Sequence, residues 1–200
     1  MVKRAFDVAL SGLGLVLLSP LWLVIAAAIL AEDGRPVLFT QGRVGRDGRV
    51  FRAFKFRSMV RDAASQPPRQ AGAGDPRITR VGAALRATAM DELPQLLNIL
   101  RGDMSVVGPR PLLPGEIEVR GDGTQVPLSA IEGYAERHAV RPGLTGLTQV
   151  AADRDIPRRS KFRIDRLYVR RASLCFDVYL VLTSFWITLR GRWEVRGRKI

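Results

Sequence analysis

The chain has 200 residues, a formal net charge of +13 and a sequence pI of about 11.3, and 46% of its residues are hydrophobic. This length supports one packed domain, and the apolar fraction excludes a chain that is disordered as a whole. The charge requires an anionic partner, which composition leaves open among nucleic acid, an anionic lipid surface and a phosphate-bearing substrate.

Cys175 is the only cysteine, so no intramolecular disulfide can form, and we expect it to be buried. His138 is the only histidine, so a zinc site lacks ligands.

An uncharged apolar segment covers residues 8–31. As a helix it reaches about 36 Å, which is enough to cross a bilayer. Pro20, which follows Ser19, removes a backbone donor and clashes with the carbonyl four residues earlier, so a bend is expected there. Cationic residues flank both ends: Lys3, Arg4, Arg35, Arg43 and Arg46. Both ends therefore favour the cytoplasmic side, which predicts a re-entrant helix-break-helix. A kinked helix that crosses once and a cleaved signal peptide stay open as alternatives.

The next segment predicts a small β-hairpin. Residues 37–40 favour a strand, Asp47-Gly48 is typical of a tight turn, and residues 50–57 alternate between apolar and polar side chains. Lys55 and Arg57 share one face of the second strand, where they present paired cations either to a phosphate or to solvent. The residues alone favour solvent. Residues 63–75 are rich in Ala, Gln, Pro and Gly without periodicity, which predicts a mobile surface loop.

A short amphipathic helix is predicted over residues 91–101. Its apolar positions follow the helical spacing i, i+3, i+4 and i+7: Leu93, Leu96, Leu97 and Leu100. Pro94 is tolerated in the first turn of such a helix. Asp91 and Glu92 then lie at the N-terminus, and a carboxylate pair at this position is, taken alone, typical of helix capping.

Three arginines surround this pair in the sequence. Arg86 precedes it, while Arg110 and Arg141 lie in turns that are made rigid by proline and glycine, over residues 107–111 and 141–146. Phosphate chemistry near a bilayer is the interpretation that uses all of these features. Residues 174–189 are largely apolar and precede a basic run over residues 190–199, which predicts a helix at the membrane surface.

A carboxylate can attack a diphosphate only where its own negative charge is tolerated beside a negatively charged substrate. That condition calls for a divalent cation and several guanidinium groups. Mg²⁺ suits the role because it binds one or two carboxylates together with phosphate oxygens. Asp91 and Glu92 are therefore the candidate catalytic residues and the candidate Mg²⁺ ligands.

Six segments of the chain form a recognisable series. They are Lys3-Arg4-Ala5-Phe6-Asp7, Ser19-Pro20, Phe54-Lys55-Phe56-Arg57-Ser58-Met59, Asp91-Glu92-Leu93-Pro94-Gln95-Leu96, Gly102-Asp103-Met104-Ser105-Val106-Val107-Gly108-Pro109-Arg110-Pro111 and Arg141-Pro142-Gly143-Leu144-Thr145-Gly146. In this order they resemble the small monotopic polyprenyl-phosphate phosphoglycosyl transferases of the bacterial sugar transferase family. The resemblance extends over nearly the whole chain.

The resemblance implies a two-step reaction. Asp91 attacks the β-phosphorus of a UDP-sugar, UMP leaves, and a covalent phospho-sugar enzyme forms, which polyprenyl (undecaprenyl) phosphate then attacks. Glu92 is implied as a Mg²⁺ ligand or as the base that acts on the lipid phosphate. The implied phosphate- and substrate-binding residues are Arg86, Arg110 and Arg141, with Lys55 and Gln149 as weaker candidates.

The resemblance also implies the architecture and location. We expect a predominantly helical α+β fold with a re-entrant membrane helix over residues 1–32, bent at Ser19-Pro20, and a catalytic domain over residues 33–200 that carries amphipathic interfacial helices. The site should face the cytoplasm at the bacterial inner membrane, in the first membrane step of glycoconjugate biosynthesis. The expected partners are a UDP-sugar, polyprenyl phosphate and the membrane, with no nucleic acid, and a homodimer is allowed. Because the chain begins at this helix, we expect it to lack the further N-terminal spans of larger family members.

Some positions depart from the family's pattern. The sequence differs after Gln149, and residues 121–127 look inserted, which leaves the identity of the sugar open. Ala87 and Ala89 replace residues that are commonly more polar. Two other classes also stay open: a basic membrane-attached module that binds nucleic acid or lipid headgroups, and a structural membrane scaffold. The binding module does not explain why arginines lie in rigid turns, and the scaffold needs no carboxylate pair.

Overall fold

The protein begins with one long apolar helix, α1 (Val2–Asp33), in a computed structural model that describes residues 1–65, 75–153 and 156–190. Within those ranges α1 is the one helix that is long and apolar enough to cross a membrane, judged by length and composition. Pro20 lies inside it, and Ser19 Oγ donates to the carbonyl of Val16 at 2.8 Å. The helix is continuous, so the break that we expected at Ser19-Pro20 does not interrupt it. Its course relative to a bilayer stays a prediction.

The predicted hairpin is confirmed. Strand β1 (Leu38–Val44) pairs antiparallel with β2 (Val50–Phe56). The connecting turn places Asp47 at φ 55° and Gly48 at φ 77°, in the left-handed region that glycine and aspartate tolerate best. The loop that we expected over residues 63–75 falls mostly on residues 66–74, which lie outside the described residues, as does the basic run from residue 191 onward.

Two short helices follow the hairpin. Helix α2 (Arg80–Ala87) is capped at its N-terminus by Thr79, whose Oγ1 accepts a hydrogen bond from Gly82 N at 2.9 Å. Helix α3 (Gln95–Arg101) is shorter than predicted, because a separate 3₁₀ turn over Met90–Glu92 precedes it. The prediction that this helix begins at Asp91, with Asp91 and Glu92 at its N-terminus, is therefore wrong: the pair lies in the 3₁₀ turn before it. Pro94, at the N-cap of α3, has no N–H to continue helical bonding backwards toward the carboxylate pair.

After α3, the described part of the chain contains four short strands and four α-helices. They are β3 (Ser105–Val107), β4 (Ile117–Val119), β5 (Gln125–Pro127), α4 (Tyr134–His138), β6 (Gly143–Thr145), α5 (Leu147–Ala151), α6 (Arg158–Arg171) and α7 (Leu174–Leu189). Strand β3 runs parallel to β6, and β4 pairs antiparallel with β5. The residues that looked inserted thus belong to a small hairpin. Mixed helix and sheet, with helix predominant, confirms the expected α+β composition.

Helix α7 buries one face and exposes the other. Leu180 and Ile187 are fully buried in the main hydrophobic cluster, which also contains Ile99 of α3 and Val107 of β3. The opposite face is apolar and exposed along its whole length: Leu174, Val178, Leu182, Phe185 and Leu189. Cys175 is exposed on this helix, so the expectation that it is buried is wrong. No described part of the chain covers this apolar face, and such a face is what a helix at a membrane surface requires.

The first half of α1 is fixed to the body of the protein by polar contacts. Lys3 Nζ lies 2.6 Å from Asp177 Oδ2 on α7. Asp7, which is 1% exposed, accepts hydrogen bonds from Ser105 Oγ at 2.9 Å and from Val106 N at 3.0 Å. Because β3 satisfies the buried carboxylate of Asp7, the start of α1 is fixed in position against β3.

The second half of α1 is fixed to the same body. Ile25 and Ile29 are buried in a cluster with Phe56 of β2 and Leu85 of α2. At the end of the helix, Glu32 accepts hydrogen bonds from the backbone N–H groups of Arg80 and Val81 at 2.7 and 2.9 Å, which satisfies free donors at the start of α2. The face of α1 that points away is apolar and exposed: Leu13, Val16, Leu17, Leu23 and Val24.

Candidate active site

The carboxylate pair lies in a tight turn between α2 and α3. Ala89 precedes it with φ 55° and ψ 19°, a left-handed conformation that is unfavourable for a residue with a Cβ. The chain reverses there and enters the 3₁₀ turn that carries Asp91 and Glu92. Both residues are only 8% exposed. Two adjacent carboxylates in so buried a position need cations nearby, because burial disfavours the charged form.

Strand β2 brings the first cation to the pair, and a buried amide fixes the strand. Asn98 of α3 is fully buried; its Nδ2 donates to the carbonyl of Arg52 at 2.8 Å, and its Oδ1 accepts from Phe54 N at 3.0 Å. These bonds hold the edge of β2 against α3. Lys55, the next residue along the strand, is thereby placed beside the turn that precedes α3.

Lys55 and Arg110 both engage Glu92. Lys55 Nζ lies 2.6 Å from Glu92 Oε1 and 3.8 Å from Asp91 Oδ2. Arg110 NH2 lies 2.6 Å from the same Glu92 oxygen, and Arg110 NH1 is 3.4 Å from Oε2. The Lys55 side chain is 17% exposed, so the interpretation from the residues alone, which placed it in solvent, is wrong. Arg57 is also buried and instead donates to the carbonyls of Asp33 and Gly34, at the end of α1.

These contacts give the two carboxylates opposite properties. Burial raises the pKa of Asp91 to about 6, against the opposing charge of Lys55. Burial alone would also raise the pKa of Glu92, but the guanidinium of Arg110 and the ammonium of Lys55 hold it well below its usual range. Environments that push two neighbouring pKa values apart assign different roles to the two groups. Asp91 is the more basic carboxylate, and Glu92 is a permanently charged anchor for two cations.

The two rigid turns that the sequence singled out pack directly against each other. Gly108 N donates to the carbonyl of Thr145 at 2.9 Å, and Gly143 N donates to the carbonyl of Pro109 at 3.0 Å. A Cβ added at Gly143 would lie 2.0 Å from Gly108 N, so only glycine permits this approach. The contact joins β3 to β6 and fixes the stretch of backbone that carries Arg110.

The other predicted phosphate-binding residues lie around this centre at different depths. Arg86, in the last turn of α2, contributes an electrostatic effect that lowers the pKa of Asp91. Arg141 Nε donates to the carbonyl of Gly102 at 2.8 Å, at the end of α3 opposite the carboxylate pair. Gln149 is buried on α5, and its Nε2 donates to the carbonyl of Leu144 at 3.3 Å. The structure thus brings Lys55, Arg86 and Arg110 to the pair, and it places Arg141 and Gln149 on the adjoining β6 side.

The Asp91-Glu92 pair offers two carboxylates that could hold a divalent cation together with ligands from a substrate. Among the described residues no group of three or more His, Cys, Asp or Glu side chains could hold a metal ion. Two carboxylates are sufficient for Mg²⁺ when phosphate oxygens and waters supply the remaining ligands. The Asp91 carboxylate is available for this role, whereas Glu92 already accepts bonds from Lys55 and Arg110. Glu92 fits as a ligand only if it exchanges one of these partners.

Two residues around the site were not predicted from the sequence. Asn98 could have been noticed as a polar residue inside an otherwise apolar short helix. Arg137 is 3% exposed on α4, and its NH2 donates to the main-chain carbonyl of Arg110 at 2.6 Å. Its position in a generally basic chain gave no signal, because its partners are distant in sequence.

The fold and the site together define a class of protein: one whose long apolar helix suggests membrane association and whose buried carboxylate pair is surrounded by cationic side chains. The chain belongs to the bacterial sugar transferase family, whose model matches residues 1–191.

Characterised relatives agree with this assignment. The chain is 43% identical over 190 residues to undecaprenyl-phosphate glucose phosphotransferase from Komagataeibacter xylinus, covering 91% of this chain and 35% of that protein. It is 41% identical over 194 residues to UDP-N-acetylgalactosamine-undecaprenyl-phosphate N-acetylgalactosaminephosphotransferase from Aeromonas hydrophila, covering 95% and 44%. It is 38% identical over 199 residues to exopolysaccharide production protein ExoY from Rhizobium meliloti, covering 92% and 84%. The chain thus spans less than half of the first two relatives and most of the third.

Proposed function

We propose that this protein transfers a sugar-1-phosphate from a UDP-sugar to polyprenyl phosphate, with undecaprenyl phosphate as the natural acceptor, and that UMP is released. The observation that carries the proposal is the difference between the two buried carboxylates: burial raises the pKa of Asp91, whereas Arg110 and Lys55 hold Glu92 in its charged form. The names of the relatives support the same reaction, because they describe undecaprenyl-phosphate sugar phosphotransferases. Such a transfer is the first membrane step in building an exopolysaccharide, O-antigen, capsule or glycoprotein glycan.

The reaction proceeds in two displacements at one phosphorus atom. A carboxylate oxygen of Asp91 attacks the β-phosphorus of the donor, and the bond between that phosphorus and the bridging oxygen breaks. UMP departs with the bonding electrons and leaves an aspartyl phospho-sugar. An oxygen of polyprenyl phosphate then attacks the same phosphorus, the bond to Asp91 breaks, and polyprenyl diphospho-sugar is released. Covalent catalysis of this kind allows a soluble and a lipid substrate to use one site in turn.

The basicity of Asp91 supports its role as nucleophile. A pKa of about 6 leaves the carboxylate ionised at neutral pH while making it more basic than an exposed aspartate. Lys55 and Arg86 reduce the repulsion between this carboxylate and the phosphates of the donor. Arg110, whose side chain is 51% exposed, can turn from Glu92 toward a bound phosphate without crossing the protein.

Glu92 is better suited to electrostatic support than to proton transfer. A general base works best with a pKa near the working pH, and the two cations hold the pKa of Glu92 far below that value. Bound Mg²⁺ would supply neutralisation of the phosphate charge, with Asp91 and Glu92 as the protein ligands. The role of Glu92 in this protein's own structure is to hold Lys55 and Arg110 beside the nucleophile.

The packing of α1 supports a monotopic arrangement on the cytoplasmic face of the inner membrane. The 32 residues of α1 correspond to about 48 Å of helix at 1.5 Å per residue, and both ends of α1 are bonded to one body of protein. A helix that crossed about 30 Å of hydrocarbon would draw that body into the bilayer at one end. Entry of α1 into one leaflet, with its exposed apolar face toward lipid and α7 beside it, avoids this. Cationic flanks at both ends favour the cytoplasmic side.

The function is tested by measuring UMP release by the purified full chain in detergent, with Mg²⁺, undecaprenyl phosphate and a panel of UDP-sugars. We expect release from at least one donor, in which continued turnover beyond one UMP per protein depends on the lipid, and loss of all release in Asp91→Asn. The matched control is Asp47→Asn, the same change at an exposed aspartate in the hairpin turn, which should retain full activity. Unchanged release by Asp91→Asn would contradict the proposed nucleophile.

A further inference from the structure

A buried arginine outside the carboxylate pair holds three parts of the protein together. Arg137 is 3% exposed, and its Nε lies 2.9 Å from Asp165 Oδ2 on α6. Its NH1 lies 3.1 Å from His138 Nε2, and its NH2 donates to the main-chain carbonyl of Arg110 at 2.6 Å. Its guanidinium carbon also lies 4.9 Å from the centre of the Phe162 ring. Each of the three guanidinium nitrogens of Arg137 thus has a hydrogen-bond partner.

The partners of Arg137 are themselves fixed. A guanidinium can only donate, so His138 Nε2 must accept, and its Nδ1 therefore carries the proton that it donates to the carbonyl of Tyr134 at 2.7 Å. Burial and the charge of Arg137 lower the pKa of His138 to about 4, in agreement with this neutral form. Asp165 is 3% exposed, and its second oxygen accepts from Thr148 Oγ1 at 2.6 Å. These fixed partners therefore hold the Arg137 guanidinium in one orientation.

The hydrogen bond from Arg137 to the carbonyl of Arg110 is one of three that hold the turn containing Arg110. Three consecutive carbonyls of this turn each accept from a different element. Pro109 O accepts from Gly143 N at 3.0 Å, Arg110 O from Arg137, and Pro111 O from Arg43 NH1 at 3.2 Å. The flanking prolines restrict φ, so fixing these carbonyls fixes the direction in which the Arg110 side chain leaves the backbone.

We infer that Arg137 is a positioning residue for the reaction: it sets the backbone of Arg110 so that the Arg110 side chain is aimed at Glu92 and at the phosphate of the substrate. The inference rests on the proposed function of the Asp91-Glu92 site. The Arg110 side chain is half exposed, so its direction depends on how its backbone is set and on its bonds to Glu92. Arg137 acts through Arg110, and its own charge is balanced by Asp165.

The kinetic test is a double-mutant cycle between Arg137→Lys and Arg110→Ala, read as kcat for UMP release. Lysine can keep the ion pair with Asp165 but lacks the planar fork that reaches Arg110 at the same time. Removal of one donor that stabilises transition-state charge costs about a hundredfold, so we expect that loss in Arg110→Ala and about a tenfold loss in Arg137→Lys. The double variant should be no worse than Arg110→Ala alone, because the two changes remove one function.

A substrate-free cycle separates this inference from the proposed function. Arg137→Lys and Glu92→Gln are combined, and Tm is measured for each variant. If Arg137 acts on Glu92 through Arg110, the loss of Tm in the double variant will be smaller than the sum of the two single losses. The Tm measurement needs no UDP-sugar. If no UDP-sugar is a substrate, the proposed function is contradicted, but the Tm cycle still tests whether Arg137 acts on Glu92 through Arg110.

The control is Arg77→Lys, the same change at a buried arginine whose ion pair is with Asp75, before α2. It should leave kcat within about threefold of wild type. If Arg137→Lys does not fold, Asp165→Asn, which keeps the shape but weakens the orientation of Arg137, replaces it in both cycles. Kinetic losses that multiply to about a thousandfold, or Tm losses that simply add, would show a general structural role and overturn the inference.

Discussion

Removing the proposed nucleophile should make the folded protein more stable. The pKa of Asp91 rises from 3.8 to about 6 on folding, so the folded state binds this proton more tightly than the unfolded state. The associated stability is present in full below pH 3.8 and is lost as the pH rises through about 6. At about 1.4 kcal/mol per pKa unit, an ionised Asp91 costs the folded protein on the order of 3 kcal/mol above neutral pH. Asp91→Asn has no charge to bury and escapes this cost.

Thermal unfolding in detergent would measure the effect. At about pH 8 we expect Asp91→Asn to raise Tm by roughly 6–12 °C, since 1 kcal/mol corresponds to about 2–4 °C for a domain of this size. At about pH 4.5 the advantage should shrink by about 2 kcal/mol, because most of the wild-type carboxyl is then protonated in the folded state. Asp47→Asn, at an ion pair with Arg46 whose side chains are both more than half exposed, should change Tm little at either pH. An Asp91→Asn variant that is less stable than wild type at about pH 8 would refute the reasoning.

Four further outcomes follow from the same geometry. UMP release should fall about tenfold per pH unit below about 6, because only ionised Asp91 attacks; a flat profile down to about pH 5 would contradict this. Glu92→Gln should lower Tm at neutral pH, the opposite of Asp91→Asn, since the pKa of Glu92 is depressed on folding, and an unchanged Tm would argue against its anchoring role. Ala89→Gly should raise stability by about 0.5–1 kcal/mol in denaturant unfolding with activity retained, because it relieves a left-handed alanine; destabilisation would show that the strain is absent. Asn98→Ala should lower the free energy of unfolding by about 2–3 kcal/mol and reduce kcat, because Phe54 N loses its hydrogen-bond partner and Lys55 loses its support. Normal stability of this variant would exclude this role of Asn98.

The local features of the fold could be predicted because short segments determine them. The Asp47-Gly48 pair favours a left-handed turn, and the alternating residues on either side then form a hairpin. The apolar run of α1 and the exposed face of α7 are likewise visible as patterns of hydrophobicity. The start of α3 was misplaced because Pro94 is compatible both with the first turn of a helix and with a cap.

The site could be predicted only in part, since its geometry depends on contacts between distant residues. The Asp91-Glu92 pair was identified from its chemistry, but which carboxylate is basic depends on Lys55 and Arg110, which lie 37 and 18 positions from Glu92. Arg137 reaches Arg110 from 27 positions away through a backbone carbonyl, which carries no sequence signal. Periodicity can place a side chain on a face, but it cannot show what that face meets.

The central claim, a covalent intermediate on Asp91, is tested most directly in the absence of lipid. Purified protein is mixed with its UDP-sugar and Mg²⁺ without polyprenyl phosphate, and both UMP release and the intact mass of the protein are followed. The account predicts about one UMP per protein and a mass increase of one sugar phosphate, located on the peptide that contains Asp91 and absent from Asp91→Asn. UMP release that occurs only when polyprenyl phosphate is present, with no adduct on the protein, would show direct transfer between the two substrates and contradict the account.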